Sequence, residues 1–174
     1  MQSLTSIFAG FSAFGFSGSR SVIPSSLRIV TAFVPRTAPV FVGCASGVDA
    51  YVRQVFPSAR VFRVSDFRAS SYVGSLALRS AACVSAVAAS GALFCSFPSA
   101  ACPSGVFPSA VAHRCFAGSG SGSWASLAFA VGSGCSCLLF LPSGIPAPLW
   151  VASQFRQVSP SVWFLSTAIQ PSLF

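Results

Sequence analysis

The sequence predicts an α/β fold, a mostly parallel sheet covered by helices on both faces, and three observations lead there. Short apolar runs alternate with segments of helical spacing. Those runs are apolar at successive positions rather than at every second one, as strands buried on both faces must be. Gly/Ser-rich turns stand at the junctions, at Gly18-Ser19-Arg20, Gly43 to Gly47 and Gly118 to Ser123. Crossovers in such sheets are right-handed and ligands lie beyond the carboxyl ends of the strands, so all three turns are expected on one rim.

Residues 1–11 pass from polar to apolar without a clear period and read as a loose lead-in. Ala13 to Phe16 is the first strand. Pro24 suits the first turn of a helix, and Leu27, Val30 and Val34 follow at helical spacing until Pro35. Pro39 to Val42 is the second strand. Val48, Val52 and Val55 mark one face of a second helix, which Pro57 ends. Val61 to Val64 is a third strand, and Tyr72 to Ser90 a long helix with a stripe of Val73, Leu76, Ser80, Val84 and Val87, stopped by Gly91. Ala92 to Phe97 is a central strand. Pro98, Pro103 and Pro108 make the next stretch a loop. Trp124, Leu127, Ala128 and Val131 give a helical face, Cys137 to Leu141 a fifth strand, and Val162 to Leu165 one strand more. A chain of 174 residues suits one domain, spanning 12–142, with 143–174 a Pro-rich extension packed on it.

All ten cationic side chains are arginine, against two Asp, and there is no Lys, Glu or Asn. Guanidinium groups suit bidentate contacts to phosphate or carboxylate, and a net charge of +8 favours polyanionic partners; a biased composition explains the same imbalance. Seven Cys with no CxxC spacing and a single His support neither a disulfide framework nor a metal site. Reduced core thiols imply a cytoplasmic protein. Trp124 to Leu141 is apolar enough to resemble a membrane span, but Gly132, Ser133, Gly134 and Ser136 divide it into a helical half and a strand-like half. No membrane partner is expected. So apolar a chain is expected to cover some of its surface as a homodimer.

The turn from Gly43 to Gly47 joins a strand to a helix, and such a junction turns unpaired N–H groups and the positive end of the helix dipole toward one small volume. An anion such as a phosphate is favoured there. Asp49 stands in the first turn of that helix, where it caps and orients the turn or touches the ligand. At Gly18-Ser19-Arg20 the expectation is either a close backbone approach at Gly18 with Arg20 reaching a phosphate or carboxylate, or an ordinary strand-to-helix loop. Gly118 to Ser123 leads directly into a helix, so its amides, with the hydroxyls of Ser119, Ser121 and Ser123, form a phosphate cradle; alternating Gly and Ser also suits a flexible linker. His113 has no partner at a diagnostic spacing and reads as a structural residue.

GSR at 18 to 20, G-x-A-x-G-V-D-A at 43 to 50 and the Gly-rich turn at 118 to 123 together resemble the SLOG superfamily. That superfamily joins the DNA-processing proteins of the DprA/Smf type with the lonely guy (LOG) nucleotide hydrolases. The likeness spans Ala13 to Leu141 and is nearest to the DprA-like side. It implies a Rossmann-like three-layer sandwich that binds a nucleotide or nucleotide derivative through Gly18, Ser19, Arg20, Gly43, Ala45, Ser46, Gly47, Asp49, Gly120, Ser121, Gly122 and Ser123, with no further cofactor. LOG hydrolases carry a Glu after their glycine-rich turn, where this chain has Ser126, so the resemblance implies binding rather than cleavage. Two alternatives stay open. Arg53, Arg60, Arg63 and Arg68, interleaved with aromatic residues, are suited to single-stranded nucleic acid such as DNA. A degenerate LOG-like nucleotide hydrolase is the other.

Overall fold

A computed structural model describes residues 3–118 and 120–167. The parallel strands β1 (Phe14–Gly18), β2 (Val40–Gly43), β3 (Arg60–Phe62), β4 (Leu93–Phe97) and β5 (Cys137–Phe140) form most of one sheet. Two antiparallel strands, β6 (Arg156–Ser159) and β7 (Val162–Leu165), bring it to seven strands among the described residues, in the order β3-β2-β1-β4-β5-β7-β6. The chain runs outward from β1 to β3 and then returns to the far side of β1 with β4. Strand order therefore reverses between β1 and β4, the place where open α/β sheets offer a crevice to ligands. The architecture is the Rossmann-like α/β fold that the sequence predicts.

Side chains of a strand alternate between faces, and both faces here are apolar. Phe14, Phe16, Val40, Val42, Leu93, Cys95, Leu138 and Phe140 point to the side covered by α1 (Leu4–Ala9), α2 (Ser25–Phe33) and α3 (Val48–Val55). Phe41, Phe94, Cys137 and Leu139 point to the other side, against α4 (Tyr72–Ala89), α5 (Ala112–Cys115), α6 (Gly122–Gly132) and α7 (Leu149–Gln154). Each fully buried Phe or Leu of these two layers is worth roughly 1.5–3 kcal/mol of transfer free energy, and this drives the sandwich together.

Several boundaries differ from the sequence reading. The expected loose lead-in contains α1, whose Ser3 cap accepts the Ser6 N–H at 3.2 Å and whose Phe8 stacks on Phe14 at 5.5 Å. Strand β3 stops at Phe62, and Val64–Asp66 turn into a short 3-10 helix. The loop after β4 contains α5, and the Pro-rich extension contains α7 and β6 besides the expected β7. The short α5, the six-residue α7 and the polar edge strand RQVS give too little periodicity to be read without tertiary contacts. Residues 168–174 of that extension lie outside the described residues, as do Met1 and Gln2 of the lead-in.

The long helix also differs in its buried face. Arg79, Cys83, Val84 and Val87 are the residues of α4 that are buried, whereas Tyr72 and Val73 are exposed, so the expected stripe holds only in its second half. Trp124 to Leu141 divides as expected into α6 and β5. Among the described residues α4 is the helix long and apolar enough, by length and composition, to cross a membrane, with 22% of it buried, and its one charge, Arg79, is buried. At the sheet edges the guanidinium groups of Arg60 on β3 and Arg156 on β6 lie over the rings of Phe62 and Phe164, 5.0 and 5.9 Å from their centroids.

Candidate functional site

A cavity of about 540 Å³ opens at the carboxyl ends of β1 and β4, on the α4/α6 side of the sheet. Its volume lies inside the range of roughly 300–1,000 Å³ that small-molecule sites occupy. Each of the three Gly/Ser-rich turns contributes to its wall: Gly18, Ser19 and Arg20 from the first, Ala45 and Asp49 from the second, Gly120, Ser121, Gly122 and Ser123 from the third. Much of the remaining wall is α4, through Val73, Leu76, Ala77, Arg79 and Ser80, with Ser99, Cys115 and Phe116 among the other lining residues. Ser119 lies outside the described residues.

Gly43, Ser46 and Gly47 are not on the wall; they hold it in place. Gly47 has φ +65°, and a Cβ there would overlap the Ser19 carbonyl and crowd the Arg20 backbone. The second turn therefore lies directly on the first. Ser46 Oγ donates to the Arg20 carbonyl at 2.8 Å, and the Val48 N–H donates to the Ser19 carbonyl at 2.9 Å. Ser19 Oγ in turn accepts the N–H groups of Ser21 and Val22 at 3.2 and 3.1 Å, which fixes the loop that carries Arg20.

These bonds change where an anion is favoured. The sequence places it over the start of α3, but there Val48 N–H is taken by Ser19, and Ala45 N–H is taken by Asp49 Oδ2 at 3.2 Å. The start of α6 is different. The first amides of a helix have no acceptor within it. Its N-cap Ser121 makes no capping bond and instead pairs its hydroxyl with that of Ser123 at 3.3 Å. Trp124 anchors this end, with its ring fully buried and its indole N–H donating to the Ala100 carbonyl at 2.9 Å. Amides without an acceptor among the described residues remain at both termini. However, α3 has its first N–H taken and the Asp49 carboxylate in its first turn, whereas α6 has no acidic residue there and offers its donors and positive dipole end to the cavity.

Arg79 is a site residue that sequence reasoning does not single out. Only 6% of it is exposed; its Nη1 donates to Asp49 Oδ2 at 3.2 Å, and its Nε finds no acceptor among the described residues. Gly43 explains the close packing, since a Cβ there would overlap both the guanidinium and the carboxylate. Burial pushes the Asp49 carboxyl above the usual carboxylate range, while Arg79, the Ala45 N–H and Arg53 act in the opposite direction. On the described wall two guanidinium groups, Arg20 and Arg79, face one carboxylate, which leaves a net positive site with an orphaned donor.

The arginines expected to serve nucleic acid differ in their surroundings. Arg53 donates through Nη1 to the carbonyls of Gly43 at 2.8 Å and Ala45 at 3.0 Å, so it clamps the second turn. Arg60, Arg63 and Arg68 are exposed along the β3 side of the sheet. Ser126, the residue at the position of the LOG Glu, is buried in α6 and is not on the cavity wall. His113 is exposed on α5 and is also not on the wall. Burial pushes the Cys83 thiol up to about 12 and that of Cys95 higher still, in keeping with inert core thiols.

No family model, curated protein or solved structure matches this chain. What the chain itself establishes is a Rossmann-like α/β sandwich whose three glycine-rich turns meet around one basic cavity at the reversal of strand order.

Proposed function

We propose that this protein is a binding module for a nucleotide or nucleotide-derived anion, held in the cavity between β1, β4, α4 and α6. The observation that carries the reading is the convergence of all three turns on that cavity, with Arg20, Arg79 and the start of α6 arranged around it. A phosphate at the first turn of α6 would take its free amides, and the two guanidinium groups would balance its charge. The motifs shared with the SLOG superfamily support the same ligand class. Binding is favoured over glycosidic cleavage because the carboxylate on the described wall is Asp49, which is buried and already paired with Arg79.

The test is a melting-temperature screen of purified protein against nucleoside mono-, di- and triphosphates, cyclic nucleotides and dinucleotides. A ligand at a hundred times its Kd adds about 2.7 kcal/mol. For a domain of this size that is a rise of roughly 5 to 10 °C in Tm. Arg20→Ala should shrink the rise by removing a charge-assisted contact worth about 1.5–3 kcal/mol, with little change in the unliganded Tm, because the side chain is exposed. No shift with any of these ligands would remove the reading.

A second reading has one observation in its favour, the exposure of Arg60, Arg63 and Arg68 on one side of the sheet. If these hold single-stranded DNA, the double variant Arg63→Ala/Arg68→Ala should lower the salt slope of oligonucleotide binding by about 1.4, at roughly 0.7 per phosphate contact. An unchanged slope assigns them to solubility.

A further inference from the structure

A second, smaller cavity of about 160 Å³ lies on the opposite side of the sheet rim, under the start of α2. Its lining is Val22, Pro24 and Ser26 from the first turn and α2, Phe97 and Pro98 from the end of β4, and Phe140, Leu141 and Pro142 from the end of β5, closed by Ser19 and Ser99. No charged side chain is among them. Phe97 and Phe140 stack on each other with centroids 4.6 Å apart and planes within 4°, so both aromatic rings stand as a rigid apolar pair in the wall of the slot. Val22 is half exposed at its edge.

At about 160 Å³ the slot is well below the roughly 300 Å³ at which separate ligand sites begin. It is too small for a whole ligand and large enough for one ring or a short branched chain. Ser19 and Ser99 line both the slot and the large cavity, so the two meet over the tips of β1 and β4, where strand order reverses. The chemistry differs on the two sides: arginines and helix amides on one, aliphatic and aromatic carbon on the other.

We propose that the slot is a subsite, and that the ligand of this protein is a phosphate-bearing molecule with an apolar substituent that crosses the Ser19–Ser99 crest into it. The inference rests on the binding reading above and adds the class of substituent. A phosphate at the start of α6 would share the large cavity with Ser19 and Ser99, so a group esterified to it could pass over the crest into the slot. Val22, Pro24, Phe97 and Phe140 would then cover a ring that otherwise faces water.

The experiment compares two ligands of equal charge, the methyl and benzyl phosphodiesters of the four ribonucleoside 5′-monophosphates, by calorimetry on the full chain. The free monophosphates serve as reference. Burying the ring should make at least one benzyl ester roughly tenfold or more tighter than its methyl counterpart. Val22→Asp sets a charge at the mouth of the slot from a half-exposed position, so it leaves the core intact. It should remove the benzyl advantage while the free monophosphate binds as before. Equal affinity of the two esters would overturn the subsite, as would binding of the free monophosphates alone or a benzyl advantage that persists in Val22→Asp; each of these leaves the nucleotide reading standing. No binding of any of the compounds would remove both.

Discussion

Replacing Asp49 with alanine is expected to destabilise the fold by about 3–5 kcal/mol, the largest effect of any single side-chain truncation in the site. The cause is what remains. Arg79 is buried, and Asp49 is the acceptor of its Nη1; without it a guanidinium already lacking a partner at Nε would hold its charge with little compensation. Ala45 N–H would lose its acceptor as well, loosening the second turn. For a domain of this size the fall in Tm should be roughly 6 to 20 °C. The double variant Asp49→Leu/Arg79→Met separates causes. Removing both charges together should recover much of the loss, because an apolar pair of similar volume has no desolvation cost to offset. The same double variant should fail to respond to nucleotide, since it has lost one of the two cavity guanidinium groups. A single variant as stable as the parent would mean that Arg79 is not confined where it is placed.

Gly47→Val should be nearly as severe, for reasons of backbone rather than charge. With φ at +65° and ψ at −123°, Gly47 occupies a conformation that L-residues rarely adopt. Strain of about 1–3 kcal/mol is added to a collision with the carbonyl and backbone of Ser19 and Arg20. Relieving the collision displaces the first turn, and crowding of this kind costs about 1–3 kcal/mol more. The variant should melt at least roughly 4 °C below the parent and lose its nucleotide response, because Arg20 moves with the displaced turn. A folded variant with the parent's Tm and ligand shift would refute the stacking of the two turns as the basis of the site.

The layers and the site were legible in the sequence to different depths. Strands such as VFVG and LFCSF, apolar at successive positions apart from Ser96, announce a doubly covered sheet, and Pro24, Pro35, Pro57 and Gly91 mark helix limits without tertiary help. The three turns were visible from their glycines. Arg79 was legible in principle and not read. It stands four residues before Cys83 and eight before Val87, on the buried stripe of α4, where a charge needs a partner. With two carboxylates in the chain, Asp49 in its glycine-rich turn was a candidate for that partner. The bond from Val48 N–H to the Ser19 carbonyl at the start of α3 was not legible, because the two residues are brought together only by the stacking of the loops. Nor was β6, whose pairing with β7 comes from the sheet rather than from its own polar sequence.

The arginines over Phe62 and Phe164 have a consequence for the behaviour of the chain at high concentration. A sheet exposes unpaired N–H and C=O groups at its two edge strands, and a sequence of mean hydropathy +0.76 has few charges with which to guard them. Both edges are brief, three residues in β3 and four in β6, and each carries one exposed arginine whose guanidinium lies over an aromatic ring. A second sheet adding to either edge would have to lift that group from its ring and set it against the like charge of the incoming strand. Two of the ten arginines thus place a positive charge on the edge strands, where like charge on an incoming copy opposes edge-to-edge pairing, an effect independent of any nucleic-acid binding.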